Sequence, residues 1–480
     1  MMSVRRTLAI LLSATALVSF PAGAFAQSGE AAAAPSSEDS AAQIEFMQAQ
    51  IEAMQKQLDE LKKTAKTNAP NWKGAPEFAN DSGFRFKPKG LVQFDAGYVA
   101  NPNDALTSKS LGFNSRSRRL VLGAEGTLPG GFGYNAEFNF ANGQVDFEDV
   151  VLTYQRDKSP LRLTIGNFYP LSSLETMTSS RVTSFLERDQ FTDAFGYNRR
   201  LGVALAYIDP QDTYSITAGL FTKSIDNSYT NDGWQGSVRA TYSPQVGNGR
   251  LHLGANYQHR EASSDALNVR YRARPFTQVT DFRFVDTGAI AAKGDDTFGL
   301  ELGGIFGPFH FAGEGQYVKV SGYRPGATFA NGDTVAGGAF FDEDPSFTAG
   351  YAEVGYFLTG ESRGYKGGRW DRTKVAKPFD KGGWGAWQIV GRFSHLDLAD
   401  RVAGATYAAP SYVAGGKQDG YLLGVNWFPM DYLRLSAQYA RSQVKGGPQA
   451  ATVNGVPAGA AAQGSDYGVD TFAVRAQLDF

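Results

Sequence analysis

The sequence predicts an all-β protein, a sixteen-stranded antiparallel transmembrane β-barrel, and three observations predict it. First, residues 470–480 alternate strictly: Phe472, Val474, Ala476, Leu478 and Phe480 share one face of an extended strand, and Thr471, Ala473, Arg475, Gln477 and Asp479 the other. Second, comparable segments recur from residue 84 onward until sixteen can be placed, an even number, as a closed barrel with both ends on one side of a membrane requires. Third, the connections sort by parity. Those after odd-numbered strands are often long (169–199, 261–295, 321–346, 397–418, 444–469), whereas those after even-numbered strands are mostly tight, as at 129–131, 157–160, 209–212, 307–308 and 429–431. A soluble sandwich has no reason to sort its loops in this way.

The N-terminal elements fit the same destination. Arg5 and Arg6 precede an apolar run from Leu8 to Val18, and Ala24-Phe25-Ala26 offers small residues for cleavage, so residues 1–26 read as a secretory signal peptide too short to span. Its removal takes two of the 46 basic residues and none of the 48 acidic ones. The mature chain is mildly acidic, which gives no indication of nucleic-acid binding. Residues 27–42 are rich in Ala, Ser and Gly and are expected to be irregular. Ile44, Met47, Ile51, Met54, Leu58 and Leu61 then recur at alternating three- and four-residue steps, the a/d seam of a coiled-coil helix over 43–63. An amphipathic helix lying on the barrel is the plainer alternative. Residues 64–83, with Pro70 and Pro76, read as a linker, and the barrel is expected over 84–480.

Within the barrel the strands are expected at 84–99, 113–127, 132–141, 146–156, 161–168, 200–208, 213–224, 234–243, 250–260, 296–306, 309–320, 347–358, 385–396, 419–428, 432–443 and 470–480. One connection breaks the parity rule. Residues 359–384 follow an even strand yet are long and rich in Gly, Lys and Arg, so either the count is off or this segment folds back beneath or into the pore. Residues 276–286 alternate like a strand but are assigned to a loop. The mean hydropathy of −0.31 and the 42% hydrophobic content suit either a soluble protein or a barrel, because half of each membrane strand is polar. No cysteine is present, so disulfides and thiolate metal sites play no part, and nothing indicates a cofactor.

A charge at the lipid-facing midplane costs about 2–4 kcal/mol, so charges within strands are expected on the lumenal face. The inward basic set is then Arg85, Lys87, Lys89, Arg119, Arg162, Arg200, Arg239, Arg392, Arg434 and Arg475. The inward acidic set includes Asp95, Glu125, Glu137, Asp149, Glu301, Glu314, Glu353 and Asp479. Two roles suit the cations: bracing the wall by pairing with these acids, or drawing anions into the pore. The four histidines (His252, His259, His310, His395) are scattered, and no nucleophile, base and orienting acid come together, which argues against an enzyme. A structural barrel without selective transport, or a general pore for small polar solutes, stays open beside an anion channel.

Several stretches carry a family resemblance. Residues 165–188, running Ile165-Gly-Asn-Phe-Tyr-Pro-Leu-Ser-Ser-Leu-Glu-Thr-Met-Thr-Ser-Ser-Arg-Val-Thr-Ser-Phe-Leu-Glu-Arg188, resemble the third loop of the phosphate-selective porin O and P family. Ser117-Arg-Arg119 followed by Leu-Val-Leu-Gly-Ala-Glu is similar to its early Arg-Arg strand. Trp384-Gly-Ala-Trp-Gln-Ile-Val-Gly-Arg-Phe-Ser394 and Gly424-Val-Asn-Trp427 resemble two late strands, and Phe480 its terminal aromatic, read by the barrel-assembly machinery. The resemblance implies a homotrimeric channel in the outer membrane of a Gram-negative bacterium, set among lipid and lipopolysaccharide, with the third loop folded inward as the constriction and small anions such as phosphate as solutes. It points to Ser179, Ser180 and Arg188, with Arg181 beside them, as anion-binding, to Arg119 as part of an arginine ladder, and to Asp149 as an acid that tempers affinity. Thr176 stands where phosphate-selecting members carry a central Lys, so a weaker anion filter is expected. The coil would lie in the periplasm and aid trimer assembly.

Overall fold

The computed structural model describes residues 37–68, 71–72, 74–141, 143–223, 225, 233–330, 333–400 and 411–480. The expected signal peptide and residues 27–36 lie outside the described residues. The chain divides into two units, residues 1–67 and 68–480. In the first, a helix (α1) spans Ser37–Asn68. It starts within the segment expected to be irregular. Its seam is unsatisfied: Ile44, Met47, Ile51, Met54 and Leu58 are each more than half exposed.

In the second unit sixteen antiparallel strands close into a barrel. They are β1 Arg85–Val99, β2 Gly112–Leu128, β3 Phe132–Asn139, β4 Asp146–Tyr154, β5 Leu161–Phe168, β6 Arg200–Ile208, β7 Tyr214–Phe221 and β8 Gln235–Tyr242. The second half is β9 Gly249–Glu261, β10 Val285–Phe306, β11 Phe309–Gly322, β12 Ser346–Phe357, β13 Ala386–Asp400, β14 Val413–Met430, β15 Leu433–Lys445 and β16 Asp466–Asp479. Each strand pairs with the next, and β16 pairs with β1 from Thr471↔Val99 to Asp479↔Leu91, which removes both sheet edges. Phe480 completes the seam: its N–H donates to Gly90 O at 3.1 Å, and the Gly90 N–H donates to Phe480 O at 3.0 Å. A Cβ at residue 90 would sit 2.2 Å from the Phe480 ring, so the closing aromatic needs glycine beneath it.

Burial is inverted relative to a water-soluble sheet. On β16, Phe472, Val474 and Leu478 are exposed while Thr471, Arg475, Gln477 and Asp479 are at most 2% exposed. Leu300 and Leu423 are 70% and 67% exposed, against 4% for Arg392. An apolar outer band around a polar interior is the pattern a barrel needs in lipid. Aromatic pairs ring the turn end on the outside: Phe132 with Tyr154 at 4.9 Å, Tyr207 with Tyr214 at 5.8 Å, and Trp387 stacked on Trp427 at 5.5 Å.

Two expectations need correction, on the linker and on the start of β10, and the loop assignment of residues 276–284 stands. The linker is partly ordered: Asn71–Trp72 pairs with Pro76–Ala79, and the latter continues onto β1 through Phe78↔Phe86. β10 starts at Val285, eleven residues before the expected 296, because its loop-end extension forms a hairpin with Asn268–Ala273. The alternation in 276–286 therefore marks no strand of its own before Val285; Phe276 instead adopts φ of 57° and turns inward.

Candidate functional site: the lumenal constriction

The long connection 169–199 between β5 and β6, here called L3, lies within the barrel. It carries two short helices, α2 Leu174–Met177 and α3 Gln190–Ala194. Ser173 caps α2, its Oγ accepting from Thr176 N at 3.1 Å, and Asp189 caps α3 by accepting from Phe191 N at 3.2 Å. Local hydrogen bonding thus gives the loop its shape, and wall carboxylates hold it in place.

Glu314 on β11 accepts from Leu174 N at 3.0 Å, Glu175 N at 2.7 Å and the Tyr351 hydroxyl at 2.9 Å. Glu353 on β12 accepts from Ser184 Oγ at 2.5 Å and pairs with Arg392 on β13, which also reaches Glu175 at 2.9 Å. Glu187 joins the opposite wall: Arg118 donates to it from Nε and Nη2 at 2.8 and 2.9 Å, and Arg475 at 2.6 Å. Burial alone would raise the Glu187 carboxyl, but Arg118 and Arg475 outweigh it and hold it well below the usual carboxylate range.

Wall glycines seat the aromatic side chains that fold inward. A Cβ at residue 424 would lie 3.2 Å from the Phe185 ring of L3, one at residue 420 2.1 Å from Phe276, and one at residue 303 2.9 Å from Trp370. Trp370 belongs to residues 358–385, the connection that broke the parity rule. The strand count stands, and this turn-end segment enters the lumen. Its Arg363 donates to Ser184 Oγ at 2.7 Å and to Val182 O at 3.3 Å, and pairs with Glu353 at 3.1 Å. Its Gly368 carbonyl accepts from Arg239 at 2.8 Å, and Tyr365 OH contacts His252 Nδ1 at 2.7 Å. L3 and this segment therefore touch, and Glu353 serves both.

The sequence-predicted residues fall into three groups. Ser179 is exposed at the rim of L3, with Ser180 and Arg181 half-buried behind it. Arg181 pairs with Glu137, which also binds Lys89 at 3.1 Å, while Gln93 donates to Ser180 O at 3.5 Å and accepts from Arg119 at 3.3 Å. These residues therefore share one neighbourhood. Arg188 stands apart. It donates to the Glu175 and Thr178 carbonyls at 2.9 and 2.7 Å and to the Tyr169 hydroxyl at 3.3 Å, stapling L3 to itself. Asp149 accepts from Arg199 at 2.6 Å, and the same guanidinium lies 4.3 Å over the Tyr169 ring. Thr176 is 1% exposed, its Oγ1 accepting from Ser173 Oγ at 2.9 Å.

Among the ladder candidates, Arg85 pairs with Glu77 and Glu125 at 2.8 and 2.9 Å, and Arg239 with Glu301 in a two-pronged contact at 2.8 and 2.6 Å. Arg200 donates to Thr222 O at 3.2 Å near the loop end. Arg162 is exposed at the turn end. Lys87, Arg162, Arg188 and Arg434 form no ion pair among the described residues.

Strict alternation missed Arg118. The register shifts so that Gln93 faces Arg119 and Phe94 faces Ser117, leaving Arg118 as the extra residue of a β-bulge. Two consecutive arginines consequently reach into the lumen. The signal was available, because a charge at a lipid-facing position is costly enough to demand a bulge. Arg199, Glu187 and Arg363 lie outside strands, where alternation gives no face.

A family model, phosphate-selective porin O and P, matches residues 86–465. An uncharacterized protein of Caulobacter vibrioides is 35% identical over 422 residues, covering 85% of this chain and 76% of its own length. Porin O of Pseudomonas aeruginosa is 28% identical over 403 residues, covering 77% of this chain and 86% of its own. Among solved structures, the outer membrane channel DcaP of Acinetobacter baumannii aligns over 84% of this chain and 99% of its own, at 14% identity and a TM-score of 0.46. The chain belongs to the phosphate-selective porin O and P family, and its barrel is that of an outer-membrane porin.

Proposed function

We propose that the protein is a passive, water-filled outer-membrane channel with a preference for small anions, phosphate among them, and that L3 forms its constriction. The observation that carries this reading is a set of inward cations without an acidic partner among the described residues. Of the inward acids anticipated from alternation, Asp95, Glu125, Glu137, Asp149, Glu301, Glu353 and Asp479 each bind a cation. Glu314 is satisfied by three hydrogen-bond donors. Lys87, Arg162, Arg188 and Arg434 remain without an acidic partner among the described residues, and these are the cations left to draw anions. Bracing and anion attraction are thus divided among different cations.

A general pore for small polar solutes is the second reading, favoured by the burial of Thr176 at the place of the central Lys. The reading takes three copies as the working unit, inserted among outer-membrane lipid and lipopolysaccharide by the barrel-assembly machinery acting on Phe480. The exposed seam of α1 would pair with its two counterparts in the periplasm. No chemistry is assigned to the histidines; the channel reading leaves none for them.

Planar-bilayer recording under a potassium chloride gradient tests the proposal. Current steps in groups of three, with a reversal potential on the chloride side, are expected. A reversal potential on the potassium side would leave only the general pore, and no conductance would leave a structural barrel.

A further inference from the structure

The turn-end connection that enters the lumen leaves it by an unusual route. At Arg372 it is still inside, paired with the inward Asp479. Residues 374–385 then hook over the barrel rim onto the outer face of β13 and β14, where Trp387 and Trp427 stand opposite each other in register and stack. The Phe379 ring meets Trp427 edge-on with centroids 6.3 Å apart, and Trp427 Nε1 donates to Trp384 O at 2.9 Å. The hook also holds its own shape. Lys381 N and Gly383 N donate to Pro378 O at 3.1 and 3.0 Å, Gly385 N donates to Lys377 O at 2.9 Å, and Gly382 closes the turn at a φ of 77°.

Two large rings are left bare on this ordered turn: Phe379 is 61% exposed and Trp384 82%. They continue a gradient along the outer face. Ile389 opposite Val425 lies toward the midplane, the stacked Trp387 and Trp427 follow, and the hook comes last. Apolar side chains that give way to aromatic ones and then to lysine are the profile of a membrane interface. Lys374, Lys377 and Lys381 are exposed and have no acidic partner among the described residues. Asp380 is the one acid within residues 374–385. Neighbouring Asp431 and Glu361 are turned to backbone amides of the hook, accepting from Val375 N at 2.8 Å and Ala376 N at 3.2 Å.

We infer that the hook is a docking site for an anionic phospholipid of the turn-side leaflet, with the headgroup phosphate on Lys377 and Lys381 and the acyl chains against Phe379 and Trp384. Each ammonium offers up to three donors to phosphate oxygens. Three lysines against one aspartate, on a rim set in the bilayer, complement a headgroup of net negative charge better than a zwitterionic one. The inference goes beyond the channel reading and does not rest on it, since it needs only the barrel in its membrane and not a particular ion preference of the pore.

The test is fluorescence quenching of the full-length protein in vesicles of phosphatidylcholine and phosphatidylglycerol. The lipid composition is held constant, and bromine is carried on the acyl chains of one lipid or of the other. The emission lost in Trp384→Phe isolates Trp384 from the remaining tryptophans. For Trp384 the quenching constant with brominated phosphatidylglycerol is expected to exceed that with brominated phosphatidylcholine about fivefold, the enrichment that one lysine near an anionic surface supplies. Lys377→Gln combined with Lys381→Gln should bring the ratio to about one, and high salt should lower it in the native protein without any substitution. Equal quenching by the two lipids in the native protein, or a preference that survives both the paired substitution and high salt, overturns the inference. Trp384 quenched by neither lipid would mean that another copy of the chain covers the hook, which overturns it as well. The paired substitution should leave the reversal potential of the channel unchanged; a shift would place these lysines on the ion path rather than in the bilayer interface and contradict the site.

Discussion

Glu353 shows how much one lumenal residue can hold. It neutralises Arg392 and Arg363 and accepts from Ser184, so a wall strand, L3 and the inward turn segment all meet on one carboxylate. Glu353→Gln leaves two buried guanidinium groups short of a counter-charge. A destabilisation of about 3–5 kcal/mol is expected, read as a lower temperature for the heat-modified shift in gel mobility. An unchanged transition would mean that Glu175 alone suffices for Arg392. Glu187 behaves differently with pH. Its carboxyl is held below its ordinary value of 4.5, so its anchoring of L3 is complete above 4.5 and is lost only as pH falls through the lowered value. The native channel should therefore be as quiet at pH 4.5 as at pH 7, while Glu187→Gln should show added current noise at both. A native channel as noisy as the variant at pH 4.5 contradicts this anchor.

At the scale of elements, two segments rather than one fold into the lumen. L3 descends from the loop end and residues 358–385 rise from the turn end, joined by Arg363 to Ser184 and Val182. Removing residues 362–373 should raise single-channel conductance severalfold; unchanged conductance would mean that L3 alone sets the bore. α1 is a separate matter. Deleting residues 41–64 should lower the yield or heat stability of the trimer without altering conductance, and an unaffected trimer would demote the coil. The legibility of these elements in the sequence follows their physics. Strand faces could be read because period two survives in β1, β7, β13, β15 and β16, whereas the bulge at Arg118 and the hairpin on β10 depend on pairing partners that no local pattern reveals. Residues 359–384 announced themselves only by violating the loop rule. The sequence could not show that Arg188 spends its donors within L3, nor that Thr176 is buried, because both depend on how the loop folds against the wall.

At the scale of the molecule, closure and charge decide the outcome together. The seam between β1 and β16 removes the sheet edges, and an inverted burial pattern turns charges such as Arg239, Glu301, Glu353, Arg392 and Arg475 inside, while ion pairs such as His395–Asp419 and Arg441–Asp470 face outward towards the loop end. Lys87, Arg162, Arg188 and Arg434 stay without an acidic partner among the described residues, and in the proposed function Ser179, Ser180 and Arg181 at the rim of L3 carry part of the filter. Reversal potential under a salt gradient, recorded for the native protein and for Arg181→Glu, tests that account most directly. A chloride-side potential that moves toward potassium in Arg181→Glu is the expected result. A native channel that already favours potassium, or an Arg181→Glu channel with the native potential, would contradict it.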